Sequence, residues 1–212
     1  MNAQTQSLTL SGPAGAIEAL LDVPSPELFA APLGTAVVAH PHPQFGGTMT
    51  NKVVQTMARA FVQSGWRVVR FNFRGVGASA GVYDEGRGEL EDLLAVVQAQ
   101  APAEDPLALA GFSFGAFVTT HAVARLSASR PVSSVVLVGT AVTRFEAAAV
   151  PVELRPQALV IHGEQDDTVP LAAVLDWARP QSLPVTVVPG GEHFFHGQLP
   201  LLKALVARHV RA

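Results

Sequence analysis

The sequence predicts an α/β fold, with a mostly parallel central sheet opened by an N-terminal antiparallel hairpin and helices on both faces. Three observations predict it. Short, largely apolar runs at 35–39, 67–73, 107–110, 132–138, 158–161 and 185–188 read as six parallel strands. Helical segments at 51–64, 88–100, 115–128, 171–178 and 199–210 alternate with them, and such alternation implies right-handed crossovers between parallel strands. The chain has 212 residues, 49% of them apolar, enough to form one covered sheet and read as a single domain over 1–212.

The elements follow in order. Residues 7–10 and 16–23 form the expected hairpin, turning through Ser11-Gly12-Pro13-Ala14-Gly15. The strand at 35–39 runs into a stiff loop, His40-Pro41-His42-Pro43-Gln44-Phe45-Gly46-Gly47. The strand at 67–73 ends at Arg74-Gly75-Val76-Gly77, where Arg74 is expected to tie the turn to Glu89 or Asp92; holding a substrate carboxylate is its lesser reading. The strand at 107–110 runs directly into Gly111-Phe112-Ser113-Phe114-Gly115, and a helix follows. After the strand at 132–138, residues 140–156 make only a short connector, with room for a turn or two of helix at 145–150 before Pro151. A sizeable lid does not fit there. The last two parallel strands deliver His162-Gly163-Glu164-Gln165-Asp166-Asp167 and Gly190-Gly191-Glu192-His193-Phe194-Phe195-His196 to loops at one sheet edge, where parallel sheets build their sites.

A G-x-S-x-G pentapeptide between a buried strand and a helix forces a sharp turn, and glycine is needed at both flanks. Ser113 then stands at a helix N-terminus, with free N–H groups and positive dipole beside its oxygen. The bland reading is an ordinary Gly/Ser turn. The rest of the chain favours the chemical one, because a serine nucleophile needs a base and the base needs an acid to hold its tautomer. In chain order after Ser113, Asp166 is the expected acid and His193 the expected base. Asp167 is the alternative acid and the expected cap of the helix opened by Val169-Pro170. His196 is the alternative base, and Glu164 the next acid to test. His162 is expected to be a structural, hydrogen-bonded residue, and His121 and His209 packing or surface residues.

Acyl transfer also needs two N–H donors for the tetrahedral oxyanion. One is expected from Phe114. The other should come from the loop after strand 35–39, where Pro41 and Pro43 have no N–H, leaving His42, Gln44 or Phe45, with His42 favoured by position. Phe45, Phe194 and Phe195 are expected to line an apolar substrate pocket, with Phe112 in the core beneath.

Gly-Phe-Ser-Phe-Gly, His-Gly-Glu-Gln-Asp-Asp-Thr-Val-Pro and Gly-Gly-Glu-His-Phe-Phe together resemble the α/β-hydrolase superfamily. The stretches from His40 to Val54 and from Arg70 to Ser79 narrow the resemblance to its small, lidless bacterial members, related to dienelactone hydrolases and prolyl oligopeptidase catalytic domains. The resemblance spans about residues 8–205. It implies an α/β-hydrolase fold and a triad, and it says little about substrate.

The remaining composition excludes several classes. A net charge of −3 without a basic run argues against nucleic-acid binding. His40 and His42 lack the cysteines or clustered carboxylates that would complete a metal site, so no metal and no cofactor are expected. With no cysteine, disulfides and thiol chemistry are excluded. No leader is expected in Met1–Leu10, no apolar stretch reaches transmembrane length, and the expected compartment is the cytoplasm. The expected function is a serine hydrolase of small carboxylic esters or thioesters, carboxylesterase-like, with no membrane partner and with homodimerisation open. A peptidase or amidase of prolyl-oligopeptidase type is the first alternative, and a non-catalytic binding protein on the same fold the second.

Overall fold

A computed structural model describes residues 5–211; the first four residues of the expected leaderless N-terminus lie outside the described residues. Strands β1 (Gln6–Gly12), β2 (Gly15–Asp22), β3 (Thr35–Ala39), β4 (Arg67–Phe71), β5 (Leu107–Phe112), β6 (Val132–Val138), β7 (Ala158–Gly163) and β8 (Val185–Val188) form one sheet. Its order is β1-β2-β4-β3-β5-β6-β7-β8. The β1–β2 and β2–β4 pairings are antiparallel and every other pairing is parallel. Helices α1 (Lys52–Gln63), α2 (Arg87–Gln100), α3 (Phe114–Leu126), α4 (Leu171–Ala178) and α5 (Leu199–His209) alternate with the parallel strands.

The continuous apolar strands divide their side chains between two cores. On β3, Ala36 and Val38 face α1 and α5, whereas Val37 and Ala39 face α2 and α3; β5 repeats the division with Ala108 and Ala110 against Leu107 and Leu109. A sheet covered on both faces therefore takes apolar residues at successive positions of such strands, which is why these runs on β3 and β5 do not alternate.

Local sequence sets the boundaries. Asn51 Oδ1 accepts from the N–H of Val53 at 2.8 Å and caps α1. Glu89 is fully buried, and its carboxylate accepts from the N–H groups of Gly86 and Asp84, fixing the entry to α2. Arg74 takes Asp92 as its partner, with two guanidinium bonds of 2.8 and 2.9 Å plus its own N–H at 3.0 Å. The buried pair Arg70–Asp22, at 2.8 Å, ties the hairpin to β4, while Arg70 also donates to the Met49 carbonyl.

Two expectations about local structure change. The hairpin is tighter than the sequence suggested, because Gly12 pairs with Gly15 and only Pro13-Ala14 are left to turn. In the connector, residues 145–150 form no helix; the helical turn is a 3₁₀ segment after the proline, Val152–Gln157. Proline at its N-cap opens that segment, and Pro156 within it removes a donor.

Among the described residues no helix is long and apolar enough to cross a membrane.

Candidate active site

Ser113 sits between β5 and α3 with φ 57° and ψ −116°, a conformation that costs an L residue about 1–3 kcal/mol. The surroundings hold it there. Its N–H donates to Val138 on β6 at 2.8 Å, and its carbonyl accepts from Ala116, Phe117 and Ala141. The two flanking glycines are sterically required. A β-carbon on Gly111 would lie 2.3 Å from the Gly115 carbonyl oxygen, and one on Gly115 would lie 2.5 Å from those of Ala39 and His40.

The loops after β7 and β8 bring two further groups to this serine. His193 Nε2 lies 3.0 Å from Ser113 Oγ, and His193 Nδ1 lies 2.7 Å from Asp166 Oδ2. All three side chains are buried. The other Asp166 oxygen accepts from the N–H groups of Thr168 at 3.0 Å and Val169 at 2.7 Å, so the carboxylate is fixed at both ends. Burial pushes the Asp166 pKa up, but hydrogen bonds from His193 and Val169, with the two nearby imidazoles, outweigh it and hold the carboxyl below its ordinary value. His193 rests on Phe112 at a ring-centroid distance of 4.9 Å. Gly139, at φ 55°, lets the chain pass beneath it, since a β-carbon there would lie 3.3 Å from the imidazole.

The neighbouring residues divide as follows. His196 is exposed and pairs with Glu192, away from Ser113. His162 is buried, with Nε2 donating to the Val169 carbonyl at 2.8 Å and lying 3.5 Å from Asp166. His121 and His209 each bond a backbone carbonyl, of Glu146 and Gln157. Glu164 Oε2 accepts from the Gly190 N–H and so joins the two loops. Asp167 does not cap α4: it is exposed, accepts only the Thr168 hydroxyl, and the N-cap of α4 is Pro170 without a side-chain bond. Asp166 itself takes the loop N–H groups that Asp167 was expected to serve.

The loop after β3 lies across from Ser113 and His193. His40 is fully buried, its Nδ1–H donating to the Pro41 carbonyl at 2.6 Å and its Nε2 accepting the Phe73 N–H at 3.0 Å. Burial lowers its pKa to about 4, against the raising effect of the Pro41 bond, and nearby His42 lowers it further. A short 3₁₀ turn, Pro43–Phe45, follows, with His42 Nδ1 accepting the Gln44 N–H at 3.2 Å and the His42 carbonyl accepting the Phe45 N–H at 3.1 Å.

Between these loops lies an open cleft of about 370 Å³. Ser113 and His193 line it together with Phe45, Phe114, Phe145 and Phe194. Phe45 is 71% exposed and Phe194 44%. Phe195 does not line it. A left-handed φ of 53° turns that side chain inward, fully buried in the core under α5. Arg144 and Phe145, which sequence reasoning did not mark as site residues, also border the cleft. They sit in the connector after β6, where no periodicity marks a pocket residue.

Residues 30–156 match the serine aminopeptidase S33 family. The chain belongs to this family, within the α/β-hydrolase superfamily. The hydrolase resembles a lidless α/β serine hydrolase from Xanthomonas campestris, at 40% identity over 100% of this chain and 95% of that one, with a TM-score of 0.86. It also resembles an α/β serine hydrolase homologue from Coxiella burnetii, at 36% identity over 98% and 97% of the two chains, TM-score 0.78. A Rickettsia prowazekii protein is 39% identical over 136 residues, 59% of this chain. The matched part is 55% of the length of that curated relative.

Proposed function

We propose that this hydrolase cleaves small carboxylic esters or thioesters through an acyl-enzyme on Ser113. The observation that carries the reading is the continuous relay Ser113 Oγ–His193 Nε2–His193 Nδ1–Asp166 Oδ2, with links of 3.0 and 2.7 Å, whose Ser113 and His193 line an open cleft.

His193 Nε2 takes the Ser113 proton as Oγ bonds the acyl carbon. The tetrahedral alkoxide forms, and His193 returns that proton to the departing alcohol or thiol as the bond to it breaks. Water then attacks the acyl-enzyme and gives a proton to His193, which hands it to Oγ as the free acid leaves. Asp166, ionised and doubly anchored, keeps Nδ1 protonated and offsets the charge of the imidazolium. For the oxyanion, the Phe114 N–H opens α3. In the facing loop the Gln44 and Phe45 N–H groups are already taken by His42, which favours the N–H of His42 as the second donor.

A second reading is favoured by the family's name, an aminopeptidase. Its substrate presents an ammonium, and no Asp or Glu lines the cleft to meet one. The ester reading is therefore preferred. A fluorophosphonate should label the wild type and not Ser113→Ala, and that variant should lose at least ~10³-fold of kcat with its circular dichroism unchanged. Nitrophenyl esters of increasing acyl length, run beside aminoacyl nitroanilides, separate the two readings. Faster turnover of the anilides would overturn the preference, and absence of labelling would return the protein to a non-catalytic binding role.

A further inference from the structure

We propose that Arg144 reads a negative charge on the substrate, so that the preferred esters or thioesters carry a carboxylate remote from the scissile bond. The inference rests on the reading of Ser113 as nucleophile and narrows its substrate class.

Arg144 lines the same cleft as Ser113, and no acidic residue does. Most arginines in the chain are engaged elsewhere: Arg70, Arg74, Arg87, Arg125 and Arg179 pair with carboxylates, while Arg67, Arg130, Arg155 and Arg211 donate to backbone carbonyls. Arg144 makes no ion pair among the described residues, and its guanidinium carbon lies 5.6 Å from the centre of the Phe45 ring. A guanidinium stacked on an aromatic face keeps its in-plane N–H fork open for a bidentate carboxylate.

The connector that carries it is anchored at several points. The Ala148 N–H donates to Thr120 Oγ1 at 3.0 Å, His121 bonds the Glu146 carbonyl at 2.8 Å, and Trp177 Nε1 donates to the Ala147 carbonyl at 3.3 Å. Phe145 stacks on Phe117 at 4.7 Å with an interplanar angle of 19°. The positive end of α3 opens into the same cleft and adds to the attraction for an anion. Arg144 also lowers the pKa of His42, after the larger effect of burial, so its charge is felt inside the cleft. On its other side Arg144 borders a depression lined by Glu85 and Glu146. A swing toward those carboxylates would quench it, and the test exposes that outcome.

The experiment compares kcat/KM for mono-nitrophenyl succinate, glutarate and adipate with that for neutral nitrophenyl esters of matched chain length. A second arm sets 4-acetoxybenzoate against its methyl ester, placing the carboxylate on the alcohol side. Wild type should favour the charged member of at least one pair by about tenfold, the scale of one charge-assisted contact. The preference should shrink in 0.5 M salt through screening, by roughly half or more. The charged-to-neutral ratio should fall to near one in Arg144→Gln, stay partly raised in Arg144→Lys and drop below one in Arg144→Glu. The arm that shows the preference tells whether the carboxylate belongs to the acyl or the alcohol part. Protein that fluorophosphonate labels but that shows no charged-over-neutral preference, or turns over neither class, overturns the inference while leaving the nucleophile in place. Protein that is not labelled overturns the nucleophile reading first.

Discussion

Asp166 differs from its neighbour Asp167 by what each oxygen touches. One Asp166 oxygen holds His193 and the other holds the loop N–H groups, while Asp167 meets only a hydroxyl. Asp166→Asn should therefore present the wrong hydrogen-bonding pattern to the imidazole and lose up to ~10⁴-fold of kcat near neutral pH, whereas Asp167→Asn should keep most activity. Steady-state rates of both variants on one ester decide it, and a dead Asp167→Asn beside an active Asp166→Asn would reverse the roles. His40 supplies a second test. Its folded pKa of about 4 lies below the ordinary 6.5, so the unfolded chain binds the extra proton between those values. The stabilisation is complete above pH 6.5 and declines toward pH 4, by on the order of 3 kcal/mol. Urea unfolding from pH 7 to 4 should show this fall, with a shallower slope in His40→Gln; equal slopes would mean that other histidines carry it. At this scale the convergence of Ser113, Asp166 and His193 was readable because glycine spacing and strand-end loops restrict which residues can meet. Phe195 was misread as a pocket residue because its aim is set by a left-handed backbone turn, which leaves no mark when the residue is not glycine.

The sharp turn at Ser113 is a property of two elements at once. Gly115 is small because the end of β3 passes against it, and Gly111 because the turn folds back on itself. Gly115→Val should cost about 3 kcal/mol, as overpacking does, and lower Tm by about 6–12 °C for a chain of this length. Normal melting of that variant would contradict the close approach. Strand and helix positions were legible in the sequence to within a residue or two, since both periods and the turn residues agreed. The connector after β6 was not. Its course depends on bonds to Thr120, His121 and Trp177, long-range contacts with no local pattern, and where there was room for a turn or two of helix the chain is irregular.

Across the whole molecule, the three loops that carry Ser113, Asp166 and His193 leave the C-terminal ends of β5, β7 and β8, so the sheet itself sets their spacing. The connector after β6 borders the cleft without roofing it, and Phe45 and Phe194 remain exposed at its edge. Rates on tributyrin should accordingly rise smoothly through its solubility limit. A sharp jump at the appearance of droplets would reveal a cover that opens at interfaces.

The strand order has a further consequence, for how the molecule fails. Ser113 follows β5, which is paired on both sides by β3 and β6, whereas His193 follows β8, a four-residue edge strand paired only with β7. Edge segments open locally at lower free energy than a central strand. On warming, the β8 loop should release first, parting His193 from Ser113 while the rest of the sheet stands. Turnover should therefore vanish, reversibly, several degrees before the circular dichroism changes, with amide hydrogens of β8 exchanging ahead of those of β5. Heat would disarm this molecule before it melts it.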